Sequence, residues 1–94
     1  MKYDQAIKYI REKRGISQVS LAAKIDRSPS YISHIEKGNR DPSMEVLNEL
    51  SFALKAPVSL ITLLATEKED VRNSAVYNEI KKAADAMLEL SDIK

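Results

Sequence analysis

The chain of 94 residues contains no cysteine. Disulfides, thiolate metal sites and cysteine nucleophiles are excluded together, and the absence fits a cytoplasmic protein. A single histidine, His34, rules out a multi-histidine metal site. Tryptophan is absent and aromatic residues make up 5%, too few for the stacking platforms that grip single-stranded nucleic acid. The longest unbroken apolar run is three residues, as at Leu63–Ala65, far short of the roughly 20 that span a bilayer. No basic segment followed by an apolar stretch opens the chain, so no secretory signal is expected. No period-two alternation rich in β-branched residues is visible, so no strands are expected. With no cysteine and no carboxylate constellation beside the one histidine, neither an enzyme nor a metal or cofactor site is expected.

What is present is an ordinary globular balance, 44% apolar and 31% charged, on a length that suits one small domain. The net charge of +1 conceals an asymmetry. Residues 1–42 carry nine Lys/Arg against five Asp/Glu, and residues 43–94 six against nine. A basic first half can hold a polyanion locally while the remainder stays solvated.

The two glycines, Gly15 and Gly38, each follow an apolar-periodic segment that ends in basic residues, Lys13 and Arg14 before the first and Lys37 before the second. This is helix C-terminal chemistry: glycine takes the left-handed conformation cheaply, and cations suit the negative helix end. Caps and periods then predict the helices. The first runs from Asp4, as N-cap, to Arg14, with Ile7 and Ile10 inward. The second follows Ser17 and buries Leu21, Ala22 and Ile25. The third has Ser28 as N-cap and Pro29 in its first turn, with Ile32 and Ile35 inward. The fourth follows Ser43 and buries Leu47, Leu50 and Leu54. A short fifth spans Val58 to Ala65. A long last helix follows Thr66, where Thr66-Glu67-Lys68-Glu69 fits a capping box, and runs to Leu90. Only Asp26, Arg27 and the cap separate the second helix from the third. So short a link forces a steep crossing, the helix-turn-helix geometry, with small Ala22 where the two would touch.

Residues 7–64 combine Ser17-Gln18-x-x-Leu21-Ala22, Ile32-Ser33-x-Ile35-Glu36-x-Gly38 and Pro42-Ser43. In that combination the chain resembles the Cro/phage-repressor (Xre) family of helix-turn-helix DNA-binding proteins. It departs from the family at Asp26, where a turn glycine is usual, at Lys55, often glycine, and at Ser20, often an acidic capping partner. The resemblance implies an all-α fold, a five-helix lambda-repressor-like domain with an additional C-terminal helix. Residues 1–66 would bind DNA, and residues 67–94 would form the last helix and serve oligomerisation.

The family's roles carry over by position. Gln18 would clamp a phosphate at the start of the second helix. The third helix would enter the major groove, with Pro29, Ser30 and His34 toward base edges and Ser33 beside them. Ser28 and Tyr31 could reach phosphates through their hydroxyls, and Arg27, Lys37, Asn39 and Arg40 would line the backbone. Proline, serine and histidine read bases permissively, so part of the specificity is expected from DNA shape. Arg11 would fork onto Glu36 and lock the third helix to the first. Leu60, Leu63 and Leu64 would pack partly against a second copy. So would the seam Val76, Ile80, Ala83, Met87 and Leu90, spaced 4, 3, 4, 3, widened by Tyr77, Ala84 and Leu88. The alternative for that seam is packing on the chain's own core.

The expected function is that of a sequence-specific, double-stranded-DNA-binding transcriptional regulator. It is expected to be a cytoplasmic homodimeric repressor of a pseudo-palindromic operator, with no membrane partner and no cofactor. The alternatives are an antitoxin or restriction–modification controller that regulates its own operon, the former with a toxin partner, and a protein-interaction adaptor that has lost DNA binding.

Overall fold

A computed structural model describes residues 2–66 and 73–91. Six helices follow one another: α1 (Tyr3–Lys13), α2 (Gln18–Lys24), α3 (Pro29–Glu36), α4 (Met44–Leu54), α5 (Val58–Ala65) and α6 (Ser74–Ser91). No strand occurs among the described residues. No single helix among them is long and apolar enough to cross a membrane.

Serine begins three of these helices. The Ser17, Ser28 and Ser43 hydroxyls accept from the backbone N–H groups of Ser20, Tyr31 and Val46, at 3.0, 3.2 and 3.2 Å. α1 starts differently from expectation. Its preceding residue is Lys2, extended and without a side-chain cap, and Asp4 lies inside the first turn. The carboxylate still faces the positive end of the helix dipole there, which is why an acidic residue suits either position.

The first four helices end alike. After each, a residue at positive φ turns the chain, and its N–H and that of the next residue bond back to the last turn. The bonds are Gly15 to Glu12 O and Ile16 to Arg11 O, Asp26 to Ala23 O and Arg27 to Ala22 O, Gly38 to Ile35 O and Asn39 to His34 O, and Lys55 to Phe52 O and Ala56 to Ser51 O. These are Schellman closures, which satisfy carbonyls that the helix itself leaves open. Two use glycine; the other two hold Asp26 at φ 58° and Lys55 at φ 55°. Aspartate enters this region more readily than most residues, while lysine has no such excuse.

The core joins α1 (Ala6, Ile7, Ile10), α2 (Leu21, Ala22), α3 (Ile32, Ile35), α4 (Val46, Leu47, Leu50, Leu54) and α5 (Leu60, Ile61, Leu64) into one cluster. Buried Ile25, Ala56, Ala84 and Leu88 complete it. Leu60 and Leu64 are thus core residues, 0% and 2% exposed, and offer no surface to a second copy. α5 is short and packs against α1, α4 and α6, so both turn inward. Leu63 is half-buried.

α6 begins later than the capping box suggests. Asn73 caps it, its Oδ1 accepting from Ala75 N–H at 2.8 Å. Thr66 instead donates its hydroxyl to Thr62 O at the end of α5, and Glu67, Lys68 and Glu69 lie outside the described residues. α6 lies on the core through Ala84 and Leu88, and three side chains tie it down. Tyr9 donates to Asp85 Oδ1 at 3.1 Å, Arg14 donates to Leu88 O at 3.1 Å, and Lys81 Nζ donates to Leu64 O at 2.7 Å.

Candidate nucleic-acid interface

α2 and α3 pack on each other across the Asp26 turn, and the Schellman closure fixes where α3 starts. Proline in its first turn and the Ser28 cap then set its direction. Ile32, Ile35 and Glu36 point inward, so the opposite face is left to solvent: Pro29, Ser30, His34 and Lys37 are exposed and Ser33 is half-buried. The positions that the resemblance assigns to base reading therefore share one free face. Ser28, Arg27, Asn39 and Arg40 are also exposed around it.

Glu36 closes α3 and is buried, its side chain 3% exposed. Arg11 meets it with a two-pronged fork, Nε to Oε2 at 2.6 Å and Nη2 to Oε1 at 3.1 Å. The third guanidinium nitrogen donates to Ile16 O at 2.9 Å. Hydrogen bonding to Glu36 raises the Arg11 pKa, opposed by burial and reinforced by the Glu36 charge. A carboxylate at this depth persists because its charge is matched and its lone pairs are filled.

Gln18 has a structural task that sequence reasoning missed. It is half-buried, and its Nε2 donates to Glu36 Oε1 at 3.0 Å. The start of α2, the end of α3 and the last turn of α1 thus converge on one carboxylate. A glutamine at the first position of a helix carries no mark of such a partner in the sequence. Only the crossing of α2 and α3 brings it there.

Arg27 donates to Glu49 of α4 at 3.4 Å, with both side chains more than a third exposed. The Tyr31 ring is half-buried and packs on the core. Arg14 stands at the C-terminal end of α1, where a cation suits the helix dipole. It reaches further, donating to Leu54 O at 2.9 Å and Lys55 O at 3.1 Å as well as to α6. Of the seam expected to serve oligomerisation, Val76, Ala83, Met87 and Leu90 remain exposed and Ile80 is half-buried. Ala84 and Leu88 belong to the protomer's own core. Among the described residues no group of three metal-ligating side chains exists.

An exposed recognition face on the second helix of a helix-turn-helix pair, rimmed with cations and buttressed by a buried ion pair, defines a class of DNA-binding module. The helix-turn-helix family matches residues 7–61. An immunity repressor protein of Bacillus phage phi105 is 36% identical over 98% of this chain and 68% of its own length. A competence pilus inhibition repressor of Acinetobacter baylyi is 34% identical over 78% of this chain and 66% of its own. The transcriptional regulator ClgR of Mycobacterium tuberculosis is 36% identical over 58% of this chain and 47% of its own. The chain thus spans about two thirds of the length of the first two relatives and about half of the third. No solved structure matches it significantly. The chain belongs to the helix-turn-helix family of Cro/Xre type, and it is a DNA-binding transcriptional regulator.

Proposed function

We propose that the chain acts in the cytoplasm as a homodimeric repressor, occluding promoter DNA by laying two α3 helices into successive major grooves of a pseudo-palindromic operator. The observation that carries this reading is the exposed α3 face, Pro29, Ser30 and His34, bordered by Arg27, Lys37 and Arg40. Phosphate contacts from the rim set register, and His34 and its neighbours meet base edges. Binding excludes polymerase; no chemical step is involved. The relatives named repressors support the sign of regulation.

Dimerisation uses the outer face of α6, where Val76, Met87 and Leu90 are 47%, 38% and 67% exposed. Such a face is self-complementary about a two-fold axis, which places half-sites about 34–36 Å apart.

The experiment is competitive binding to a selected site and a scrambled duplex across a salt series. Arg40→Ala weakens both duplexes and lowers the log–log salt slope by about 0.9. Gln18→Ala weakens both and leaves the slope nearly unchanged, because no charge is removed. His34→Ala costs about 1–3 kcal/mol on the selected site and little on the scrambled one. Equal loss on both duplexes for His34→Ala refutes the presentation of α3.

A further inference from the structure

Arg27 and Arg40 approach one aromatic ring from opposite ends of the recognition helix. Arg27 precedes α3 and Arg40 lies beyond it, in the loop before α4. Each guanidinium carbon is 5.0 Å from the centre of the Tyr31 ring, so the two cations stand no more than about 10 Å apart. Like charges this close repel, and both side chains are exposed, free to swing into water. The negative face of the ring offsets the repulsion. Its half-buried seat against the core fixes where that attraction acts. Glu49 steadies Arg27 from α4.

We propose that Tyr31 is a positioning residue for DNA binding. Its ring holds Arg27 and Arg40 as a preformed two-cation clamp for neighbouring phosphates of one strand. The clamp rests on the DNA-binding surface described above. Its ligand is the phosphodiester backbone, which repeats at about 3.4 Å of rise per strand. Tyr31 acts through its ring, not through a hydroxyl contact with DNA. Preordering two long, mobile side chains before encounter removes an entropic cost that each would otherwise meet on binding.

The test uses the full chain, a site selected from random duplexes and a scrambled duplex. Tyr31→Phe and Tyr31→Leu are each made in the wild-type background and in one carrying Arg27→Ala and Arg40→Ala. Tyr31→Phe keeps its affinity within about twofold. Tyr31→Leu weakens both duplexes equally, by about tenfold, the factor to which two exposed cation–π contacts convert. In the background without the arginines Tyr31→Leu costs nothing further, the non-additivity expected of a residue acting through others. The free protein gives a second readout that needs no leucine variant: the side-chain N–H resonances of Arg27 and Arg40 are displaced by the ring current of Tyr31.

Tyr31→Phe losing as much as Tyr31→Leu would overturn the proposal in favour of a hydroxyl contact. Equal cost of Tyr31→Leu in both backgrounds would reduce the ring to core packing. Arginine resonances at unperturbed positions would sink it outright. Failure of the wild type to bind either duplex would instead bring down the DNA-binding surface itself, and the clamp with it.

Discussion

Arg11→Met removes one side of the buried pair. The Glu36 carboxylate, 3% exposed at its side chain, would lose both prongs of the guanidinium fork and keep only the neutral donor of Gln18. Ile16 O loses its donor as well. Stranding a buried charge in this way costs roughly 3–5 kcal/mol. A chain of this size has about 5–14 kcal/mol in total, so roughly a fifth or more of its stability is at stake. At about 4–8 °C per kcal/mol, the thermal midpoint falls by more than about 12 °C. Urea unfolding followed by circular dichroism measures the change. The companion variant Arg11→Met with Glu36→Leu removes the charge together with its partner, and it recovers most of the loss because an apolar pair of similar bulk has no desolvation to offset. A single variant within about 1 kcal/mol of wild type would refute the reasoning and make the contact a solvent-screened one. A double variant no better than the single would show that the cost lies in packing rather than in the stranded charge.

Met87→Glu with Leu90→Glu places like charges on the outer face of α6 and converts the dimer to monomer by light scattering at micromolar concentration, with the thermal midpoint of the monomer little changed because neither residue is in the core. Lys55→Gly relieves a left-handed residue that costs about 1–2 kcal/mol, against about 0.5–1 kcal/mol of extra freedom in the unfolded chain, and raises the midpoint by a few degrees. The Tyr9 pKa is raised above its ordinary value near 10, first by burial, then by its hydrogen bond to Asp85 and by the charges of Asp85 and Glu89. The folded state therefore keeps this proton longer than the unfolded one. The stability it contributes is present below about pH 10 and lost as pH rises through the folded value. Tyr9→Phe removes that decline in urea midpoints taken between about pH 9 and 11.

Local chemistry was legible in the sequence wherever one residue type has one structural use. Serine caps at Ser17, Ser28 and Ser43, proline in the first turn of α3 and glycine at Gly15 and Gly38 located five helix boundaries because each satisfies or spares a backbone group at a helix end. The α2–α3 link was readable for the same reason, since its brevity leaves few ways to connect two helices. Long-range choices were not. Asp4 and Thr66 have the chemistry of caps, but the chain turns into α1 two residues early and α6 takes Asn73 instead. The apolar stripe of α6 is wider than one seam, and periodicity alone cannot say which edge faces home. Ala84 and Leu88 went to the core because Arg14, Lys81 and Tyr9 hold that edge down. None of those three advertises its partner, since two of the acceptors are backbone carbonyls present at every residue.

The ties from Tyr9, Arg14 and Lys81 make α6 a rigid extension of the DNA-binding domain rather than a tether. In a dimer joined along α6, these ties build in the distance and rotation between the two recognition helices, so an altered operator meets a fixed pair. Inserting or deleting one base pair at the operator centre rotates one half-site by about a tenth of a turn, and a stiff pair of readers can meet that only by twisting the duplex. Spacing between half-sites becomes a determinant of recognition in its own right, enforced by residues that never approach the DNA.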